Sequence, residues 1–174
     1  MQETAAPLIV TAELPADLAA WATRLRREHF PPERNFLDAH VTLFHALAPS
    51  AERTVRMLLA ECALAAPLPA RLSEVMPLGR GTALRIVSPA LDTVRENIAA
   101  QLAGLLTAQD SHTPRLHVTI QNKVDPATAR LLQSTLAATF TPRAFAFSGL
   151  ALHRYRGGPW EFVHRWPFRG AAKG

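Results

Sequence analysis

Arg115-Leu116-His117-Val118-Thr119-Ile120-Gln121 alternates polar and apolar side chains, and its centre has a second copy far upstream in His40-Val41-Thr42-Leu43. Alternation of this kind predicts a β-strand, in which successive side chains point to opposite faces. His117 and Thr119 therefore share one face while Val118 and Ile120 share the other, and the upstream copy divides in the same way. Extending the parity adds Arg115, Gln121 and Lys123 to the polar face of the downstream strand, and Asp38 and Phe44 to that of the upstream one. With seven histidines in the chain, a random ordering gives roughly 0.6 His-x-Thr triplets. One such triplet would mean little, but two with valine between and an apolar residue after are not expected by chance.

Around each copy the pattern is strand followed by helix. Leu8 to Glu13 predicts a strand, and Leu18, Trp21, Ala22 and Leu25 then recur at helical spacing. The upstream motif lies in a predicted strand from Ala39 to Ala46, after which Ser50 is placed to cap a helix carrying Val55, Leu58, Leu59 and Cys62. Pro67 to Pro77 and Thr82 to Val87 predict an antiparallel pair across the Gly79 to Gly81 turn. Ser88-Pro89 opens a long amphipathic helix marked by Leu91, Val94, Ile98, Leu102 and Leu105. Asp125-Pro126 opens another, with Ala129, Leu132, Leu136 and Phe140 on its buried stripe. Phe145 and Phe147 precede a bulge expected at Gly149, and the Gly157-Gly158 turn predicts a closing hairpin. Helices mixed with hairpins predict an α+β fold with helices on the outer faces of the sheets. The shared plan of the two halves predicts two lobes.

Two histidines on polar strand faces suit phosphodiester chemistry, which needs one group to take a proton from the nucleophile and another to protonate the leaving oxygen. Imidazole titrates near neutrality and can do either. Thr42 and Thr119 can donate hydrogen bonds to non-bridging phosphate oxygens. Arg115 and Lys123 can add positive charge, and Phe44, Tyr155 or Trp160 can stack on a base or ribose. Trp160, Phe162 and Trp166 read first as packing residues of the hairpin. His29, His45, His112, His153 and His164 read as structural or surface residues, and Arg154, Arg156, Arg165 and Arg169 as a solvated basic face, with RNA contact as the alternative. None of these five histidines has a second ligand at a metal-binding interval, the His-x-Thr spacing does not resemble the helical two-histidine zinc motif, and no cysteine pair exists, so no metal and no cofactor is expected.

The whole chain of 174 residues carries a net charge of +5 and 48% apolar residues, enough for one core and compatible with an anionic ligand. Its single cysteine, Cys62, excludes an internal disulfide and fits a reducing compartment. Met1 to Pro7 lacks the basic start of a signal peptide, and no apolar run is long enough to span a bilayer. A cytoplasmic protein without membrane contact is expected.

At the two His-x-Thr-x motifs the sequence resembles the 2H phosphoesterase superfamily, which includes bacterial 2'-5' RNA ligases and cyclic phosphodiesterases. The resemblance runs from Leu8 to near Phe168. It implies a single 2H phosphoesterase-like domain over 1–174, made of two pseudo-symmetric lobes whose antiparallel sheets face a central cleft. The cleft would hold a phosphate against His40, Thr42, His117 and Thr119. The implied activity is metal-independent hydrolysis, or reversible ligation, at RNA 2',3'-cyclic phosphate ends or 2'-5' linkages. The implied partner is an RNA end or a small cyclic nucleotide, bound by a monomer with no obligatory protein partner. The alternative is a non-catalytic RNA- or nucleotide-binding module that uses the same phosphate pocket.

Overall fold

The computed structural model describes residues 5–171. In chain order the elements are β1 (Leu8–Glu13), α1 (Ala16–His29), β2 (Val41–Leu47), α2 (Glu52–Cys62), β3 (Leu68–Pro77), β4 (Thr82–Val87), α3 (Pro89–Gln101), β5 (His117–Gln121), α4 (Pro126–Thr139), β6 (Arg143–Phe147), β7 (Gly149–Tyr155) and β8 (Trp160–Pro167). They form two antiparallel four-stranded sheets, one in the order β2-β1-β7-β8 and the other β5-β4-β3-β6. The expected α+β class with paired sheets is what the chain adopts. Both motif strands, β2 and β5, are edge strands, each hydrogen-bonded to the strand that precedes it across a helix. These two edges approach one another, and α1 packs against β5. A single apolar cluster runs through both sheets, from Val10, Val41 and Leu150 to Leu84, Val118 and Phe147.

Each motif strand carries a bulge at the same place. On β2, Thr42 pairs with Thr11 and Phe44 with Val10, so Leu43 has no cross-strand partner. On β5, Thr119 pairs with Ala83 and Gln121 with Thr82, which leaves Ile120 unpaired. A bulge forgoes about 1 kcal/mol of ladder hydrogen bonding. It lets both Leu43 and Phe44 turn inward, and each is fully buried. Burying side chains of that size contributes about 1.5–3 kcal/mol apiece, so the bulge wins over strict alternation. The same shift buries Ile120 and Gln121 together, with the Gln121 amide oxygen accepting from the Thr82 hydroxyl at 3.2 Å.

Three local expectations are corrected. Ser50 caps no helix: Pro49 sets up a single 3-10 turn closed by Ala51 N–H to the Ala48 carbonyl, and α2 continues from it. The third helix stops at Gln101, short of Leu105, which is half exposed beyond a turn in which Gly104 takes φ +82°. Gly149 is not a bulge but the point where the chain leaves β6 in one sheet for β7 in the other. A Cβ there would lie 2.7 Å from the Trp166 carbonyl oxygen, so the close approach of β8 requires glycine. The Ser88 and Asp125 caps form as expected, accepting from Leu91 N–H at 3.2 Å and Thr128 N–H at 2.9 Å.

Candidate active site

His40 immediately precedes β2 and His117 opens β5, and the two rings are anchored in the same way. The Nδ1 atom of His40 lies 2.8 Å from the Asp38 carbonyl oxygen, and that of His117 lies 2.6 Å from the Arg115 carbonyl oxygen. A carbonyl oxygen only accepts, so Nδ1 carries the proton in both rings, and Nε2 of each neutral ring bears the lone pair. Each anchor is supplied from two residues upstream. The extended segment that leads into a motif strand thus also fixes the tautomer of its histidine.

Burial and neighbouring positive charge both disfavour the protonated form of His40. Its ring packs on Trp160 from β8, with centroids 4.7 Å apart and planes tilted by 59°. Burial pushes its pKa down from the ordinary 6.5 to about 4, and the charges of Arg26, His153 and His117 push in the same direction. The Asp38 carbonyl opposes the shift, since it stabilises the protonated ring. β2 and β5 approach one another, and the charge of His117 makes the smallest of the contributions that lower the His40 pKa. Thr42 and Thr119, each two residues beyond its histidine, are half-buried.

A cavity of about 780 Å³ opens beside His40. Thr11, Asp38, Arg24, Arg27, Trp160 and Phe162 are among its lining residues, whereas His117, Thr42 and Thr119 do not line it. His153 on β7 faces the same space, with Nε2 3.2 Å from the Thr11 hydroxyl and its ring 5.5 Å from that of Trp160. Burial lowers the pKa of His153, with Glu13 opposing and Arg165 assisting.

Several predicted contacts lie elsewhere. Phe44 is in the core, not on the polar face, because the bulge at Leu43 reverses strand parity just before it. The Arg95 guanidinium lies 4.4 Å from the centre of its ring. Lys123 lies past the end of β5, exposed in a turn with φ +58°, where the parity of the strand no longer applies. Arg115 is exposed, and the atom it brings to the site is its carbonyl oxygen. Tyr155, exposed, is the cross-strand partner of Trp160 but does not line the cavity. Trp160 and Phe162, read as packing residues, line it, while Trp166 is buried as expected. His153, Arg24, Arg27 and Phe36 join the site without having been expected there, and nothing local distinguishes them in the sequence. Among the described residues no group of three or more His, Cys, Asp or Glu side chains is arranged to hold a metal ion, and no helix is long and apolar enough to cross a membrane.

Two antiparallel four-stranded sheets, each with a His-x-Thr motif at an edge strand, make the α+β scaffold that the resemblance implied. The sequence matches the model of the 2'-5' RNA ligase superfamily over residues 14–159, and the chain belongs to that family of two-histidine phosphoesterases. Comparison with curated protein sequences gives no match. Among solved structures, TT0787 of Thermus thermophilus is similar with 18% identity and a TM-score of 0.65, covering 95% of this chain and 100% of its own. E. coli LigT complexed with 3'-AMP is 18% identical with a TM-score of 0.62, and LigT complexed with NADP+ is 20% identical with a TM-score of 0.59. Each of these two comparisons covers 94% of this chain and 98% of LigT.

Proposed function

We propose that the protein is a metal-independent phosphoesterase acting on RNA 2',3'-cyclic phosphate ends or 2'-5' phosphodiester linkages, with His40 as general base and His117 as general acid. The observation that carries this reading is the matched anchoring of the two rings, each held at Nδ1 by a carbonyl two residues upstream. It leaves two Nε2 atoms for proton transfer, one per motif. The low proton affinity of His40 favours it as the group that is neutral when substrate arrives. Family membership supports the reaction class, and the LigT complex with 3'-AMP supports a nucleotide as ligand.

In hydrolysis of a cyclic phosphate, His40 Nε2 takes a proton from the attacking water as its oxygen bonds to phosphorus. The bond from phosphorus to one ribose oxygen then breaks, and His117, which enters the step as the imidazolium and keeps its Nδ1–H on the Arg115 carbonyl, gives its Nε2 proton to that oxygen to leave a phosphomonoester. The hydroxyls of Thr42 and Thr119 donate to the non-bridging oxygens, where negative charge accumulates. With a ribose hydroxyl as nucleophile the same two transfers cleave a 2'-5' linkage, and their reversal joins ends. We place this chemistry in one cytoplasmic monomer, a single domain of two pseudo-symmetric lobes, a reading supported by the edge position of each motif strand beside the strand that precedes it.

The test is hydrolysis of a cyclic-phosphate-ended oligonucleotide in the presence of a chelator. General acid or base catalysis contributes on the order of a hundredfold to ten-thousandfold, so His40→Ala and His117→Ala should each lose at least about a hundredfold in kcat. Two folded variants that keep wild-type turnover would defeat the reading.

A further inference from the structure

Among the described residues Arg26 on α1 and Arg95 on α3 are the buried arginines, each 3% exposed. Within the described residues neither forms an ion pair, and main-chain carbonyls take most of their hydrogen bonds. Arg26 donates from Nη1 to the Thr119 carbonyl at 2.8 Å, from Nε to the Leu37 carbonyl at 3.1 Å and from Nη2 to Asn35 Oδ1 at 3.3 Å. Arg95 donates from Nε to the Leu43 carbonyl at 3.4 Å and from Nη2 to the Asp110 carbonyl. An aromatic face covers each guanidinium, Phe30 for Arg26 and Phe44 for Arg95, both at 4.4 Å.

The two sets of contacts cross. Helix α1 belongs to the half that contains His40, and its arginine holds the segment leading into that histidine together with β5, the strand of the other histidine. Helix α3 belongs to the half that contains His117, and its arginine holds the segment before that histidine together with β2. The Asp110 carboxylate, on the same segment, accepts from the His45 and Ala46 N–H groups at 2.8 and 2.9 Å and extends the grip along β2.

We infer that Arg26 and Arg95 are a crossed pair of positioning residues that set the separation of His40 from His117, with Arg26 also supplying fixed positive charge to the site. The inference rests on the reading that both histidines act on one phosphate. Removing a guanidinium from water is costly unless its donors are satisfied, and an apolar side chain of similar volume would fill the same space without that cost. A purely packing role therefore does not account for two buried cations at corresponding places. A planar fork with up to five donors can fix two main-chain segments at once, which neither lysine nor an apolar residue does. The groups that face His40 with charge are Arg26 from α1, His153 from β7 and His117 from β5. Glu13 and Arg165 act on His153, and Asp38 acts on Arg26. The Arg26 charge disfavours a proton on His40 and so helps keep it a base.

The experiment compares Arg26→Met, Arg26→Lys, Arg95→Met and the milder Asn35→Ala with wild type and His40→Ala. It measures kcat and KM on a cyclic-phosphate-ended oligonucleotide, and the His40 titration by NMR. Misplacing reacting groups by about 1 Å costs on the order of a hundredfold, so Arg26→Met and Arg95→Met should lose about tenfold to a hundredfold in kcat with KM nearly unchanged. In Arg26→Met the His40 titration should move upward. Arg26→Lys should restore that titration but not kcat, because it keeps the charge and loses the fork. Should the methionine variants fail to fold, Arg26→Lys and Asn35→Ala decide, the latter with a smaller kcat loss. Wild-type kcat in folded Arg26→Lys and Asn35→Ala overturns the inference. If His40→Ala stays active, the two-histidine reading falls and this one with it; if His40→Ala is dead while the arginine variants match wild type, only the crossed pair is refuted.

Discussion

An imidazole whose Nδ1–H is tied to a main-chain carbonyl has one neutral tautomer, and its chemistry is then set by how readily Nε2 takes a proton. For His40, burial and the charges of Arg26, His153 and His117 bring that affinity down to about 4. The kcat/KM profile reports the free enzyme, so its acid limb should fall near pH 4 instead of near the ordinary 6.5. A limb close to 6.5 would remove His40 from the role of base. Stability carries the same signature. Between pH 4 and 6.5 the unfolded chain binds a proton at this position that the folded chain does not, so acidification through that window favours unfolding. Urea midpoints of wild type should therefore decline from pH 7 to pH 5, and those of His40→Asn should decline less. Equal slopes in the two proteins would mean that His40 titrates normally in the fold.

At the scale of single elements, the bulges at Leu43 and Ile120 explain both what the sequence discloses and where it misleads. Parity along a strand is local, so His40 with Thr42 and His117 with Thr119 are legible as shared faces from the residues alone. A bulge depends on the register of the neighbouring strand and on how much apolar volume the core demands, and neither is local. Phe44 and Lys123 reach the polar face only if parity is extended through or past such a point, and both assignments fail there. His153 escapes a reading of the sequence for a related reason: it comes from β7, which reaches the site only because it pairs with β1. The helix starts at Ser88 and Asp125 are legible because a cap is a contact within a few residues, whereas the end of α3 depends on a turn at Gly104. Phe44 gives a direct check on the corrected assignment. Truncating a buried phenylalanine costs about 3–5 kcal/mol, so Phe44→Ala should lower the urea midpoint sharply while KM of the folded fraction stays near wild type. A large KM increase without loss of stability would return Phe44 to the substrate.

Across the whole molecule the site is asymmetric although the two sheets share a plan. The cavity lies on the side of His40, where β8 adds Trp160 and Phe162 and α1 adds Arg24 and Arg27. The corresponding edge strand of the other sheet is β6, whose Phe145 packs edge-on against the buried Phe147 at 5.0 Å. A substrate longer than one nucleotide should therefore extend along α1 and β8, whose residues line the cavity. Arg165 is paired with Glu13 at 3.2 Å, which leaves Arg24 and Arg27 as the lining cations most able to meet phosphates beyond the one being cleaved. Each phosphate neutralised on a single strand contributes a slope of about 0.7 to the fall of log affinity with log salt. The salt dependence of KM should then be steeper for a cyclic-phosphate-ended trinucleotide than for a cyclic mononucleotide, and Arg27→Gln should reduce it for the trinucleotide alone. Stacking on an aromatic side chain contributes about 1–3 kcal/mol per base, so Trp160→Ala should raise KM for both substrates by roughly fivefold or more. Equal salt slopes for the two substrates, unchanged by Arg27→Gln, would show that nothing beyond the reacting phosphate is held by this face.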